Sequence, residues 1–439
     1  MTSVLVVNGN LLDPTENIAG VGHVAARDGV IAYIGADLDK AREAAGPGAR
    51  EFDASGLMVT PGLIDMHVHF RDPGNQAEET IESGSQAAVA GGFSSVVCMA
   101  NTDPVVDTEA DIIFARQKAE RVNLANVYSV GAITIGRRGE ELAEMAQMAR
   151  GGAVAFSDDG AAVPTAGLLR QALSYAKMLG KPIIEHCEDK SLLGEGVMDE
   201  GFVSTRLGLK GIPDECEEVI VARDVAMARL TGGHIHIQHV STANSVDIIR
   251  HAKKSGVRVT AEVTPHHLTL TSDEVVTYDP VFRVSPPLRS RADVDACRQG
   301  LRDGTLDVIA TDHAPHLEEN KELEFAQAPC GMIGLESAVG VLSNDLIVTG
   351  EFTWAELIPT LTVRPSEILK LGRGRLAVGM PADLTLLDPR RVWTVDRNAF
   401  RSRSRNCPFD KRTLTGRAIA TIVNGSVKFV LEEDAARLK

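Results

Sequence analysis

The sequence predicts an α/β fold, a (β/α)8 barrel of the TIM type with a small β-sandwich built from both chain ends. Three observations lead there. Between about residues 60 and 370, eight short β-branched or apolar runs alternate with segments of helical pattern. Those runs close on polar residues, as strands that end at the mouth of a barrel do. The two flanks instead carry short alternating strands separated by turn residues.

In chain order, the first sixty residues offer SVLVVNG, GVIAYIG and REFDASG as strands. The barrel runs are MVTPGLIDMHVHF, SSVVCMAN, NVYSVGAI, GAVAFSDDG, KPIIEHCED, HIHIQHV, VRVTAEV and LDVIATDHA. Helices between them include ETIESGSQAAVAGG, EELAEMAQMARG and TAGLLRQALSYAKMLG, the last with apolar positions at helical spacing and a glycine stop. Beyond about residue 373 the strand style of the N-terminus returns in DLTLLDP and AIATIVNGSVKFV. The fragments LLDP and VNG occur once at each end, which suggests that the ends pack together. The expected division is a discontinuous sandwich of residues 1–59 plus 373–439 around a barrel of residues 60–372.

Composition narrows the functional classes. Of 439 residues, 44% are apolar, yet no uncharged apolar run approaches the roughly 18 needed to span a bilayer, so no membrane association is expected. The N-terminus lacks a basic segment followed by a long apolar core, and the six cysteines form no CxxC pair. A cytoplasmic location follows as the expectation. A formal charge of −15 argues against binding nucleic acid. The one cationic cluster, RSRSR at 401 to 405, reads as a solvated loop or an interface contact. An anionic substrate would approach against this field, which gives weight to local cations such as Arg71.

The residues that close the barrel runs carry the chemistry. In a strand, His67, His69 and Arg71 share one face, and Asp65 joins them if the strand begins early enough. Asp158 and Asp159, His186, His239 and Asp312 end later runs. His234 and His236 fall on the parity opposite to His239. Each residue alone has an ordinary explanation, such as a helix cap. Together, imidazoles and carboxylates on five strand ends make a donor set suited to zinc and related divalent ions.

With those motifs in view, the chain resembles the amidohydrolase superfamily, and within it the long (class I) bacterial dihydroorotases, over essentially its whole length. The likeness rests on PGLIDMHVHFRDPG, MANT, FSDDG, EHCED, HIQHVS, EVTPHHL, SPPLR, TDHAPH and GMIGLE. It implies one or two zinc ions per subunit, with His67, His69 and Asp312 at one, His186 and His239 at the second, and Asp159 near or between them. Related hydantoinases and allantoinases usually bridge two metals through a carboxylated lysine ending strand four. GGAVAFSDDG has no lysine, so Asp159 is the expected substitute.

The same resemblance implies that Arg71, Asn101 and His316 grip the carboxylate of dihydroorotate. Backbone groups at Cys330 and Gly331 would hold the pyrimidine ring, with His69 beside it. Ser285 stands where relatives often carry asparagine, and its shorter hydroxyl either reaches the substrate through water or plays no part. His266 and His267 are expected to be structural or to sit behind the ligands. Asp312 is the expected proton carrier for reversible hydrolysis of dihydroorotate to N-carbamoyl-L-aspartate. A homodimer is expected, and an assembly with aspartate transcarbamoylase stays open. The alternatives are another cyclic amidase of the hydantoinase or dihydropyrimidinase kind, or a non-catalytic partner of the transcarbamoylase. Residues 317–331 are long and charged enough for a mobile lid.

Overall fold

A computed structural model describes residues 3–439 of the protein. Its centre is a ring of parallel strands: Leu63–Val68, Phe93–Cys98, Asn126–Ser129, Ile183–Glu185, Ile235–Ile237, Val259–Val263 and Val308–Ile309. The fourth place is filled by Phe156, which bridges Gly131 on one side and Ile183 on the other, and a Val68–His313 bridge closes the ring. All of these pairings are parallel. The eight predicted runs therefore coincide with the eight barrel positions.

Several of the helices between strands open on a capping side chain. Thr80, Thr165, Thr242 and Ser290 each accept a backbone N–H in the first turn of the helix they open. The predicted helix in TAGLLRQALSYAKMLG runs Ala166–Leu179 and stops at Gly180, whose φ of +65 suits glycine. Only the second half of EELAEMAQMARG is helical, as Met145–Gly151. Leu169, Leu173 and Ala176 of one helix and Ile249 of another pack with Phe156, Ile183 and Ile235 in the main core.

One predicted run spans two modules. In MVTPGLIDMHVHF, Met58–Pro61 belongs to the terminal sheet and Leu63–Val68 to the barrel. Met58–Pro61 lies antiparallel to Leu384–Thr394 and parallel to Ser3–Asp13, so it joins the two chain ends. Leu11 and Leu386, the corresponding leucines of the two LLDP fragments, both pair with Val59. Val4, Val24, Ile31 and Phe52 from the N-terminal strands meet Leu384, Ile419 and Ile422 in one buried cluster, so the sheet folds over as a sandwich. Thr385 and Thr421 fasten it to the barrel by donating to the carbonyls of Gly92 and Val89 at 2.6 Å each.

The RSRSR segment is a loop with Arg401 and Arg403 exposed, as expected of a solvated loop, but its serines turn inward. Ser402 and Ser404 are buried. Ser402 Oγ donates to buried Glu79 at 2.5 Å, Ser404 Oγ donates to the Glu78 carbonyl, and Glu336 accepts the backbone N–H groups of Arg401 and Ser402. Sequence sees the arginines, but it is the intervening serines that strap this segment across the barrel. Next along the chain, Asn406 Nδ2 donates to the carbonyls of Ala314 and Gly331 at 3.0 and 3.1 Å. Residues 401–406 thus support the active face of the barrel rather than the sandwich. Among the described residues, no helix is long and apolar enough to cross a membrane.

Candidate metal centre and active site

The barrel brings His67, His69, Asp159, His186, His239 and Asp312 together at one end. His67 Nε2 lies 3.4 Å from both Asp159 Oδ1 and Asp312 Oδ1. His69 Nε2 is 3.0 Å from Asp312 Oδ1 and 3.5 Å from Asp159 Oδ2. On the far side, His239 Nε2 and His186 Nδ1 are 2.9 Å apart, and Asp159 Oδ1 is 3.9 Å from the latter. Two donor triplets result, His67–His69–Asp159 and Asp159–His186–His239, with Asp159 common to both. Donors this close fit ligands that share a cation through bonds of about 2.0–2.2 Å, and the nitrogen–oxygen mix suits zinc.

Three of the four imidazoles are aimed by a partner behind them. Glu262 accepts from His67 Nδ1–H at 2.5 Å, which leaves Nε2 facing the cluster. Asn101 Oδ1 is 2.9 Å from His69 Nδ1, and Asn101 Nδ2 donates to Asp159 Oδ2 at 3.2 Å. Glu188 lies 2.7 Å from His186 Nε2 and so directs Nδ1 inward. A carboxylate or amide placed behind an imidazole in this way fixes the tautomer and ring orientation with which it would ligate a metal. Burial alone would raise the Glu262 carboxyl, but the imidazoles of His67 and His236 hold it down at about 2. Burial also opposes ionisation of Asp159, and His67, His69 and His186 outweigh it, so its carboxyl stays well below the usual range. Burial and the neighbouring His186 push His239 well down, toward the neutral imidazole that a ligand requires.

Glu262 was not among the residues picked from the sequence, where it reads as one polar residue near the end of VRVTAEV. Its signals were a position near a strand end and its place at the head of EVTPHHL. Glu262→Gln is expected to weaken zinc binding about 10- to 100-fold with the fold intact; competition with a chromogenic chelator measures this, and unchanged affinity would remove Glu262 from the site.

A cavity of about 350 Å³ lies against the cluster, lined by Arg71, Asn101, Ser285, His316, Cys330 and Gly331 together with His69, Asp159, His186, His239 and Asp312. Arg71 arrives differently from the expected face alternation, because the strand ends at Val68 and Arg71 sits in a turn with φ +55. Glu78 then holds it: one carboxylate oxygen is 3.5 Å from Arg71 Nε and the other 3.4 Å from His316 Nδ1. His316 Nε2 donates to the Cys330 carbonyl at 2.7 Å. Ser285 donates its hydroxyl to Glu188 at 2.5 Å, so its hydrogen bond supports the partner of His186. Asn101 likewise already bonds to two residues of the cluster.

Other candidates are directed elsewhere. A register shift between Asp65 and Val68 breaks the alternation. Asp65 accepts from Thr311 N and Oγ1, tying the first strand to the eighth. Asp158 accepts from Ile133 N, Thr134 N and Thr134 Oγ1, while Asp159 beside it turns to the cavity. His234 and His236 bond to Thr260. His267 bonds to Thr264 and to the Pro286 carbonyl, with His266 packed against it. Within residues 317–331, Lys321 donates to the carbonyls of Pro329 and Gly331 at 2.9 Å each, which ties the two ends of the segment to each other.

A family profile described as Dihydro-orotase-like matches residues 56–245. The chain is 52% identical to a dihydroorotase of Pelotomaculum thermopropionicum, over 97% of this chain and 98% of that protein. It is 48% identical to a dihydroorotase of Syntrophotalea carbinolica, over 98% and 100% respectively. Among solved structures, L-hydantoinase from Arthrobacter aurescens superposes with a TM-score of 0.86 at 26% identity, covering 98% of each chain. Dihydropyrimidinase from Brevibacillus agri shares the fold, with a TM-score of 0.83 at 22% identity over 98% of this chain and 96% of the other. Identity near one half over almost the full length sets the level of kinship, and the chain belongs to the dihydroorotase family.

Proposed function

We propose that the protein is a class I dihydroorotase: it catalyses reversible, zinc-dependent hydrolysis of (S)-dihydroorotate to N-carbamoyl-L-aspartate, a step of de novo pyrimidine synthesis. One observation carries this reading: the cavity that holds the histidine and aspartate donors also holds Arg71 and His316. A ring amide with a carboxylate substituent matches both halves. His67, His69 and Asp312 would hold one ion, His186 and His239 a second, with Asp159 between them. A bound divalent cation supplies Lewis acidity, lowering the pKa of water to about 7 and polarising the amide carbonyl.

The chain's own groups do the rest. Arg71 and His316, oriented by Glu78, receive the substrate carboxylate and fix the ring's position. Asp312 takes a proton from the attacking water and returns it to the ring nitrogen as the carbon–nitrogen bond breaks and the new carbon–oxygen bond forms. Run in reverse, Asp312 accepts the carbamoyl N–H proton as the ring closes.

The close superposition on an L-hydantoinase favours a second reading, a cyclic amidase for neutral rings. The two separate on charge. Zinc-replete enzyme should hydrolyse dihydroorotate far faster than dihydrouracil. Arg71→Met should lower kcat/KM for dihydroorotate about 100-fold, as loss of a charge-assisted pair worth about 2–3 kcal/mol implies. Dihydrouracil turnover should change little; equal losses on both rings would favour the second reading.

A further inference from the structure

A second cavity, about 580 Å³, abuts the active-site cavity, and the two share Ser285 and Cys330 in their walls. Its outer walls come from the excursion after the fifth barrel strand, with Val197, Leu209 and Ile212, and from Ala326. Half-buried Arg283 lines it. Arg283 Nη1 donates to the carbonyls of Phe325 and Ala328 at 2.9 and 2.5 Å, and its Nε is buried with no partner. Among the described residues, no carboxylate pairs with Arg283 or with Lys321 of the neighbouring loop, whose ammonium bonds only to carbonyls. Lys210, also on the cavity wall, is neutralised by an exposed pair with Glu195. An uncompensated cation at this junction, Arg283, matters in a chain of formal charge −15, because a half-buried charge is screened less than an exposed one.

We propose that this second cavity is the passage through which anionic substrate enters and anionic product leaves, with Arg283 as its anion-attracting wall and Cys330 at its neck. The proposal rests on the hydrolase reading above and adds a route and a residue to it. It also gives a physical account of how an anion reaches a site set in a strongly acidic protein: local cations reverse the field over the last stretch of approach.

Cys330 makes the passage testable, since among the described residues it is the one exposed cysteine. A methanethiosulfonate reagent reacts when the cysteine, having lost its proton, displaces methanesulfinate to form a mixed disulfide. The anionic sulfonatoethyl reagent and the cationic trimethylammonioethyl reagent are compared, each rate normalised to that with free 2-mercaptoethanol. The expected result is anionic labelling faster by about tenfold, slowed by N-carbamoyl-L-aspartate and absent in Cys330→Ser. Arg283→Gln should abolish the charge preference, and Arg283→Lys should restore it. Labelled enzyme should lose at least about tenfold in kcat/KM for dihydroorotate. Faster cationic labelling, or full labelling with unchanged kcat/KM, would overturn the passage. Absence of dihydroorotate turnover by unlabelled, zinc-replete enzyme would instead sink the hydrolase reading, so the two failures are distinct.

Discussion

Asp312→Asn should lower kcat about 1,000-fold, the middle of the range for removing a positioned general base, while affinity for N-carbamoyl-L-aspartate changes no more than about threefold. The reasoning is geometric. Asp312 Oδ1 lies 3.0 Å from His69 Nε2 and 3.4 Å from His67 Nε2, so it borders the point on which the first donor triplet converges. It also lines the cavity expected to receive the ring. Its backbone φ of +49 is uncommon for an aspartate, and such conformations persist where the surroundings hold them. Thr311 does the holding here, clamped by Asp65 through N and Oγ1. Asparagine keeps the size and one oxygen but cannot take a proton at this site. Metal content per chain is measured alongside, because lost metal would imitate a lost base. A variant with normal metal and kcat within tenfold of the parent would place the proton carrier elsewhere.

The sequence revealed which residues would meet, and much less about what aims them. His67, His69, Asp159, His186, His239 and Asp312 were legible because strand-end position and residue type are both local properties, and a barrel converts strand ends into a common site. Glu262, Glu188 and Glu78 were not. Glu262 and Glu78 act through partners far away in the chain or on another loop, Glu262 on His67 and Glu78 on His316, while Glu188 lies only two residues from His186 but nothing local says which way its side chain turns. No pattern in one sequence encodes such a pairing. Asp65 misled for a related reason. Strict alternation put it with His67, but the register shift before Val68 re-aims it toward the eighth strand. The anchoring of the RSRSR segment was not legible, because charge patterning describes side chains that reach solvent, as Arg401 and Arg403 do, whereas burial of Ser402 and Ser404 is set by acceptors on Glu79 and Glu78.

The adjacent aspartates of FSDDG provide the sharpest separation of site from scaffold. Asp159 belongs to both donor triplets, and its carboxyl remains ionised through the facing imidazoles despite burial. Asp159→Ala therefore removes a donor from each half at once. Bound zinc per chain should fall, and kcat should drop at least about 1,000-fold, since without the cation water keeps its ordinary, very high pKa. Asp158 is its neighbour in sequence but bonds to Ile133 N, Thr134 N and Thr134 Oγ1, on the loop after the third strand. Removing it leaves three buried donors unsatisfied, at about 1–3 kcal/mol each before relaxation. Asp158→Ala should thus lower Tm by several degrees while the purified protein still binds zinc. Metal analysis and thermal melts on the two variants decide the matter. If Asp158→Ala lost zinc and Asp159→Ala kept it, the metal centre would have to be rebuilt around the other carboxylate.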